Sequence, residues 1–258
     1  MKLYCDCKGS APNPRRVRIF AAEKKIDLVL VRVDLAAGEN RTPEFLAKNS
    51  SGQTPVMELD DGSCLSESVA ICRYLEGLHP DPNLFGGDLR EQVDIEIWNR
   101  RMEFELLEPA TRAVLNTNPI FRNRLHQFVA YGEAQQASLE DRHGRMNREL
   151  EGGEFVAEGR FTIADITALV AIDVAIRMLN LKISRDHENL IRWKFRAGRA
   201  PRRENGSMET HLEWACSSCD GDGAIFQCRN WPATASRHSF CSRCLEFALL
   251  HSITKNRD

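Results

Sequence analysis

The 258-residue chain lacks any window approaching the roughly 18 consecutive apolar residues that a membrane span needs. Its opening, MKLYCDCKGS, is too short and too polar for the apolar centre of a secretory signal. Charge of one sign is missing as well: 35 Lys and Arg against 37 Asp and Glu leave a net charge of −2, so no overall field draws the chain to nucleic acid or to a membrane surface. No cysteine lies between Cys72 and Cys216. Cys5, Cys7, Cys64 and Cys72 fall in the first third, whereas Cys216, Cys219, Cys228, Cys241 and Cys244 fall in the last stretch. Nine cysteines in a chain of this length without an export signal predict free thiols in a reducing, cytoplasmic setting rather than a disulfide framework. The uneven spacing also predicts at least three regions.

What is present in the first region, 1–80, alternates between two periods. KLYC reads as a short strand. After Pro14, Val17, Phe20 and Ala21 recur at helical spacing as far as about Lys25. Asn13 suits the N-cap and Pro14 the first helical position, where a missing N–H costs nothing. Arg15 and Arg16 read as exposed helix residues. LVLVRVDL (28–35) has the β-branched composition of a buried strand, and RTPEFLAKN (41–49) that of a short helix. QTPVMELDDGSCLSES (53–68) predicts two strands about an Asp61-Gly62 turn. SESVAICRYLEGLHP (66–80) predicts a helix capped by Ser66, stopped by Pro80, with Val69, Ile71, Cys72 and Leu75 inward.

The second region, 88–200, follows a Pro- and Gly-dense linker, PDPNLFGG, and carries no strand signal. Residues 91–115 read as a long helix with Val93, Ile97, Phe104 and Leu107 at helical spacings, and Glu96, Arg100, Arg101 and Glu103 paired on its solvated side. Residues 127–153 read as another, ended by Gly152-Gly153. In FTIADITALVAIDVAI (161–176), Thr162 and Asp165 form a capping box in its acid variant, a folding element. Asp173 predicts a buried or domain-edge carboxylate whose partner the sequence does not name.

The order β-α-β-α-β-β-α followed by helices, with APNPRRVRIF, GQTPVMELDDG, LSESVAICRYLE and FTIADITALVAI in that order, resembles the cytosolic, bacterial-type glutathione transferases over residues 1–195. The resemblance implies a thioredoxin-like α/β domain, an all-α second domain, a homodimer, and a detoxification enzyme that takes glutathione as substrate and joins its thiol to an electrophilic small molecule. It implies that Glu67 and Ser68 grip the γ-glutamyl amine and carboxylate. It implies a cis Thr54-Pro55 bond that exposes the backbone of Thr54 to pair with the tripeptide. Asn40 and Gln53 match positions that contact the glycine end. For the sulfur, theta-class-like relatives use a serine where this chain has Ala11. Nu-class-like relatives use Thr-Pro-Asn, of which Asn13 survives. A beta-class-like register places Ser10 where those enzymes carry cysteine. Asn13, backbone N–H groups at the helix start, and Ser10 remain the alternatives, with Cys7 available for a mixed disulfide. Trp98, Met102 and residues 105–112 are the expected lining of the electrophile pocket. A glutathione-dependent disulfide reductase and a non-catalytic glutathione-binding scaffold are the competing functions, the second favoured by Ala11.

The resemblance stops near residue 195. Six basic residues lie between Arg192 and Arg203 with no acid among them. The tail, 201–258, then carries Cys216-x2-Cys219 and Cys241-x2-Cys244, the spacing of a four-thiolate zinc site. Residues 223–240 lack the glycine-bearing knuckles expected beside both pairs. A shifted reading frame, a zinc-binding knob and an unmetallated disordered extension all fit, and no metal is expected.

Overall fold

A computed structural model describes residues 1–6, 11–157 and 159–198. Ser10, Cys7, and the zinc candidates Cys216, Cys219, Cys241 and Cys244 lie outside the described residues. Four strands, β1 (Lys2–Cys5), β2 (Val29–Arg32), β3 (Val56–Glu58) and β4 (Cys64–Leu65), form one sheet in the order β2-β1-β3-β4. β1 runs parallel to β2, with Lys2 opposite Val29, and antiparallel to β3, with Tyr4 opposite Val56. β3 and β4 pair antiparallel around the Asp61-Gly62 turn, where Gly62 has φ +84°.

Alternation along β1 sorts the layers. Leu3 and Cys5 are fully buried. Leu3 and Met57 join the core formed with α1 (Pro12–Glu23) and α3 (Ser68–Leu78). On the opposite face Val56 and Tyr4 pack with Phe45 of α2 (Pro43–Lys48). There Glu58 accepts from Lys2 Nζ at 2.9 Å and Tyr4 Oη at 3.0 Å. Two readings of this region change. β2 is the sheet edge and its residues are largely exposed, because β-branched composition signals a pleated surface and not burial. The caps also move: α1 starts from Ala11 and α3 from Glu67, neither side chain capping, so Asn13 and Ser66 are not the N-caps.

After β4 the described chain is helical: α4 (Leu89–Met102), a π-helical turn (Glu103–Leu107), α5 (Glu108–Thr117), α6 (Val129–Glu149), α7 (Ile163–Leu179) and α8 (Glu188–Ala197). α7 is apolar on nearly every side, as a central helix must be, with α1, α4, α5 and α8 packed around it. The predicted capping box holds: Asp165 Oδ2 accepts from the Thr162 N–H at 3.0 Å. Asp165 reaches further than its own helix. Its Oδ1 accepts from Val156 N at 2.9 Å and from Trp193 Nε1 of α8 at 2.7 Å, so one buried carboxyl joins a loop and two helices. Burial pushes that carboxyl up to about 6, while the donors around it pull the other way.

The inward row of α4 is Ile95, Asn99 and Met102, continuing to Leu106, and not the row predicted. Val93, Ile97 and Phe104 are 46%, 51% and 62% exposed. Asn99 disguises the true row; its Oδ1 accepts from Thr167 Oγ1 of α7 at 2.7 Å. The π turn then resets the helical phase, so positions counted from α4 do not carry into α5.

His143 of α6 is buried beside His187 and Arg142, and desolvation first, then those two neighbours, holds its imidazole down to about 4. A depressed pKa stabilises the fold above the unfolded value near 6.5, and that contribution is lost as pH falls toward 4. His143→Gln is therefore expected to narrow the loss of unfolding free energy between pH 7.5 and pH 5 by about 2 kcal/mol relative to the parent, measured by urea titration at both pH values. Parallel pH dependence of the two proteins would rule out this role.

Candidate functional site

The candidate site comprises the segment leading into β3, the start of α3 and the start of α1. Thr54-Pro55 is cis. Asp81-Pro82, in the linker, is cis as well and was not foreseen. Residues 40–53 form a tight approach to β3. Asn40 Nδ2 donates to the Gly52 carbonyl at 2.7 Å, and Asn49 Nδ2 donates to the Gln53 carbonyl at 2.9 Å. Gly52 has φ +64°, and a Cβ there would sit 2.6 Å from Arg41 Nη1 and 2.9 Å from the Asn40 carbonyl, so only glycine closes this turn. Asn40 thus braces the backbone, while the Gln53 side chain is exposed.

Glu67 enters α3 with φ +66° and ψ 112°, a conformation that costs a non-glycine residue of order 1–3 kcal/mol and persists where the surroundings impose it. Its carboxylate is exposed and makes no contact among the described residues. The next residue, Ser68, is buried, and its Oγ accepts from Arg16 Nη1 at 2.8 Å. That leaves the Ser68 hydroxyl proton free to point outward. Arg16 is 1% exposed and also meets Glu103 Oε1 of the π turn at 3.3 Å, while Arg100 Nη2 meets the other oxygen, Glu103 Oε2, at 2.5 Å. Arg16 Nε and Nη2 face no hydrogen-bond acceptor among the described residues. Arg15 is nearly as buried and pairs with Asp173 of α7 at 2.6 Å, and Lys194 of α8 approaches the other oxygen at 3.2 Å. Burial works against the Asp173 charge, but these two cations hold its carboxyl below the usual range. The expectation that Arg15 and Arg16 are exposed is therefore overturned: α1 is enclosed on both sides, and its charges go inward with partners.

The start of α1 has few donors. Of the N-terminal amides, Pro12 and Pro14 have none, Ala11 N donates to Asp6 Oδ2 at 3.1 Å, and Arg15 N bonds to the Ala11 carbonyl at 3.3 Å. Among the described residues the Asn13 N–H has no hydrogen-bond acceptor, and the Asn13 side chain is exposed. The expected electrophile lining fares less well. Met102, Leu106, Leu107 and Ala110 are core residues, and Trp98 is half-buried under the Arg101 guanidinium, 4.4 Å from its ring centroid.

Sequence reasoning missed Arg16, Glu103 and the partnership of Arg15 with Asp173. A partial signal was present: an aspartate inside ALVAIDVAI must be neutralised if buried, but Arg177 at i+4 was the nearest cation in sequence, and nothing local pointed to Arg15.

The fold and this arrangement define a thioredoxin-like α/β layer joined to a helical bundle, with a cis-proline edge facing a serine-bearing helix start. Residues 11–78 match the family described as glutathione S-transferase, N-terminal domain. Glutathione S-transferase 2 of Saccharomyces cerevisiae is 34% identical over 196 residues, covering 74% of this chain and 84% of that protein. The crystal structure of Gtt2 from Saccharomyces cerevisiae superposes with a TM-score of 0.73 at 34% identity, covering 78% of this chain and 97% of that one. Elongation factor 1-gamma 2 of Oryza sativa subsp. japonica is 33% identical over 169 residues, covering 64% of this chain but 38% of that protein. The chain belongs to the glutathione S-transferase family.

Arg16→Met removes one side of a buried ion pair while Arg100 still holds Glu103. A loss of about 2 kcal/mol in unfolding free energy is expected by denaturant titration. An unchanged midpoint would show that the Arg16 contacts carry no net stability.

Proposed function

We propose that the protein binds glutathione along the Gln53–Pro55 segment that leads into β3 and conjugates its sulfur to an electrophilic small molecule. The observation that carries this reading is the conjunction at one place of the cis Thr54-Pro55 edge, the unpartnered Glu67 carboxylate and the Ser68 hydroxyl backed by Arg16. Thr54 presents its backbone to the tripeptide. Ser68 donates to the γ-glutamyl carboxylate, and the buried Arg16 charge behind it favours an anion there. Glu67 accepts from the γ-glutamyl ammonium. Asn40 acts on the glycine end through the Gly52 loop it braces, with Gln53 at the rim.

A thiol titrates near 8.5, and each unit of downward shift needs about 1.4 kcal/mol of preference for the thiolate. With two prolines in the first turn, Asn13 supplies that preference through its N–H and its side-chain amide. The thiolate then attacks the electrophilic carbon; the C–S bond forms as the leaving group departs with its electron pair, and the thiol proton goes to solvent. Binding and orientation at one site supply most of the rate.

Subunit pairing belongs to the same proposal. Leu89, Val93 and Ile97 on one row of α4, with Phe104 beyond, expose an apolar ridge that a second copy covers in a homodimer. Among the described residues no helix is long and apolar enough to cross a membrane; the enzyme proposed is cytoplasmic and its partner is a small molecule. No group of three metal-ligating side chains occurs among the described residues, and the chemistry above calls for no metal.

A second reading is a glutathione-binding scaffold without turnover. Ala11, which cannot donate to sulfur, and the likeness to part of a protein named elongation factor 1-gamma 2 favour it.

Glu67→Ala is expected to weaken glutathione binding by about 1.5–3 kcal/mol in calorimetry, well beyond its effect on folding. Equal affinity in the two proteins would remove Glu67 from the site. Asn13→Ala is expected to raise the pKa of the bound thiol by about one unit and to slow conjugation about tenfold with binding retained. Tight binding by the parent with no conjugation of any electrophile would instead establish the scaffold.

A further inference from the structure

The charged row of α4 that reads as a solvated face leads inward. Glu96, Arg100 and Glu103 follow one another at helical spacing and share one side of the helix. Arg100 Nε meets Glu96 Oε1 at 3.1 Å, and Arg100 Nη2 meets Glu103 Oε2 at 2.5 Å. Glu103 Oε1 then accepts from Arg16 Nη1 at 3.3 Å, and the same Arg16 nitrogen donates to Ser68 Oγ at 2.8 Å. The result is a line of alternating charge, acid, base, acid, base, that starts in solvent and ends behind the Ser68 hydroxyl. Side-chain exposure along it runs 42%, 41%, 23% and 1%, so water screens the outer members and not the inner ones.

Ser68 lies in the first turn of α3, and its Oγ accepts from Arg16, so its own proton is left for an acceptor beyond the pair. How firmly an anion is held there depends on how much of the Arg16 charge is unspent. Burial lowers the Arg16 guanidinium from its ordinary range, and Glu103 is the foremost group working against that. A guanidinium stays charged even so. What Glu103 changes is the field that Arg16 presents to Ser68: the carboxylate sits within two hydrogen-bond lengths of that hydroxyl and cancels part of the charge between them. Arg100 draws on the other oxygen of Glu103 and offsets part of that cancellation.

We propose that Glu103 and Arg100 set how strongly the Ser68 site selects a ligand bearing an α-carboxylate, Glu103 weakening that selection and Arg100 strengthening it, both through the charge of Arg16. This rests on the glutathione reading above, in which the γ-glutamyl carboxylate meets Ser68. Neither residue touches the ligand; both are positioning residues, and the sign of each effect follows from its place in the line.

The test compares glutathione with γ-aminobutyryl-cysteinyl-glycine, the same tripeptide without the α-carboxylate but with its ammonium, both titrated calorimetrically into the full chain. The parent is expected to bind glutathione about tenfold more tightly than the analogue. Glu103→Gln keeps an oxygen that accepts from Arg16 and removes the charge. It is expected to widen the preference to roughly thirtyfold by tightening glutathione, with the analogue within about twofold of the parent. Glu103→Asp, which retains the charge, is expected to keep a preference near that of the parent. Arg100→Gln is expected to narrow the preference about twofold. Both Gln variants remove an ion pair and so lower the melting temperature in the same direction, while they move the preference in opposite directions; a merely structural role does not produce that pattern. If the preference stays at the parental value in both, or moves the same way in both, the proposal is overturned. If glutathione binds but the parent does not distinguish it from the analogue, the carboxylate does not meet Ser68 and this inference alone is wrong. If the parent binds neither peptide, the glutathione reading is wrong and this inference falls with it.

Discussion

Three buried cations, Arg15 and Arg16 on α1 and Lys24 just after it, tie α1 to the elements around it. An uncompensated charge in such a place costs several kcal/mol. Each is answered from a different element. Asp173 of α7 meets Arg15, and Ser68 of α3 with Glu103 of the π turn meets Arg16. Glu76 of α3 and the carbonyls of His79 and Pro82 meet Lys24, the carbonyls at 2.6 and 2.7 Å. α1 is thereby fixed to the sheet layer, the linker and the helical bundle at once. Three ion pairs with three directions fix the rotation and tilt of α1 more specifically than apolar contact, which is nondirectional.

The same arrangement explains what could be read in advance. Short-range chemistry was legible: the Asp61-Gly62 turn, the strand-helix alternation to residue 80, and the Thr162–Asp165 capping box follow from residues within four positions of one another. Contacts between distant elements were not. Arg16 and Glu103 lie 87 positions apart, and nothing local marks either as buried. The inward row of α4 was misread for a related reason: Asn99 belongs to the core because Thr167, 68 residues away, satisfies it. The approach to β3 and the start of α3 were legible only through family resemblance. No physical reading of QTPV or SES alone predicts a cis bond or a positive φ at Glu67, since both are imposed by surroundings the segment does not contain.

The start of α1 is short of hydrogen-bond donors among the described residues. Ala11 occupies the N-cap with its side chain idle, and its backbone N–H is taken by Asp6. The prolines on either side of Asn13 suit the helix geometry, since neither needs an N–H in the first turn, but each removes a donor that a thiolate would otherwise meet. A helix start usually offers an anion several amides and a partial positive charge. Here, among the described residues, the partial charge remains and the free amides shrink to that of Asn13, whose side chain is exposed and, with Ala11 in the N-cap position, is not used as a cap. The capping role predicted for Asn13 and the sulfur-binding role exclude each other, because one amide cannot face its own helix and the ligand together. By denying the first, the placement of α1 leaves room for the second.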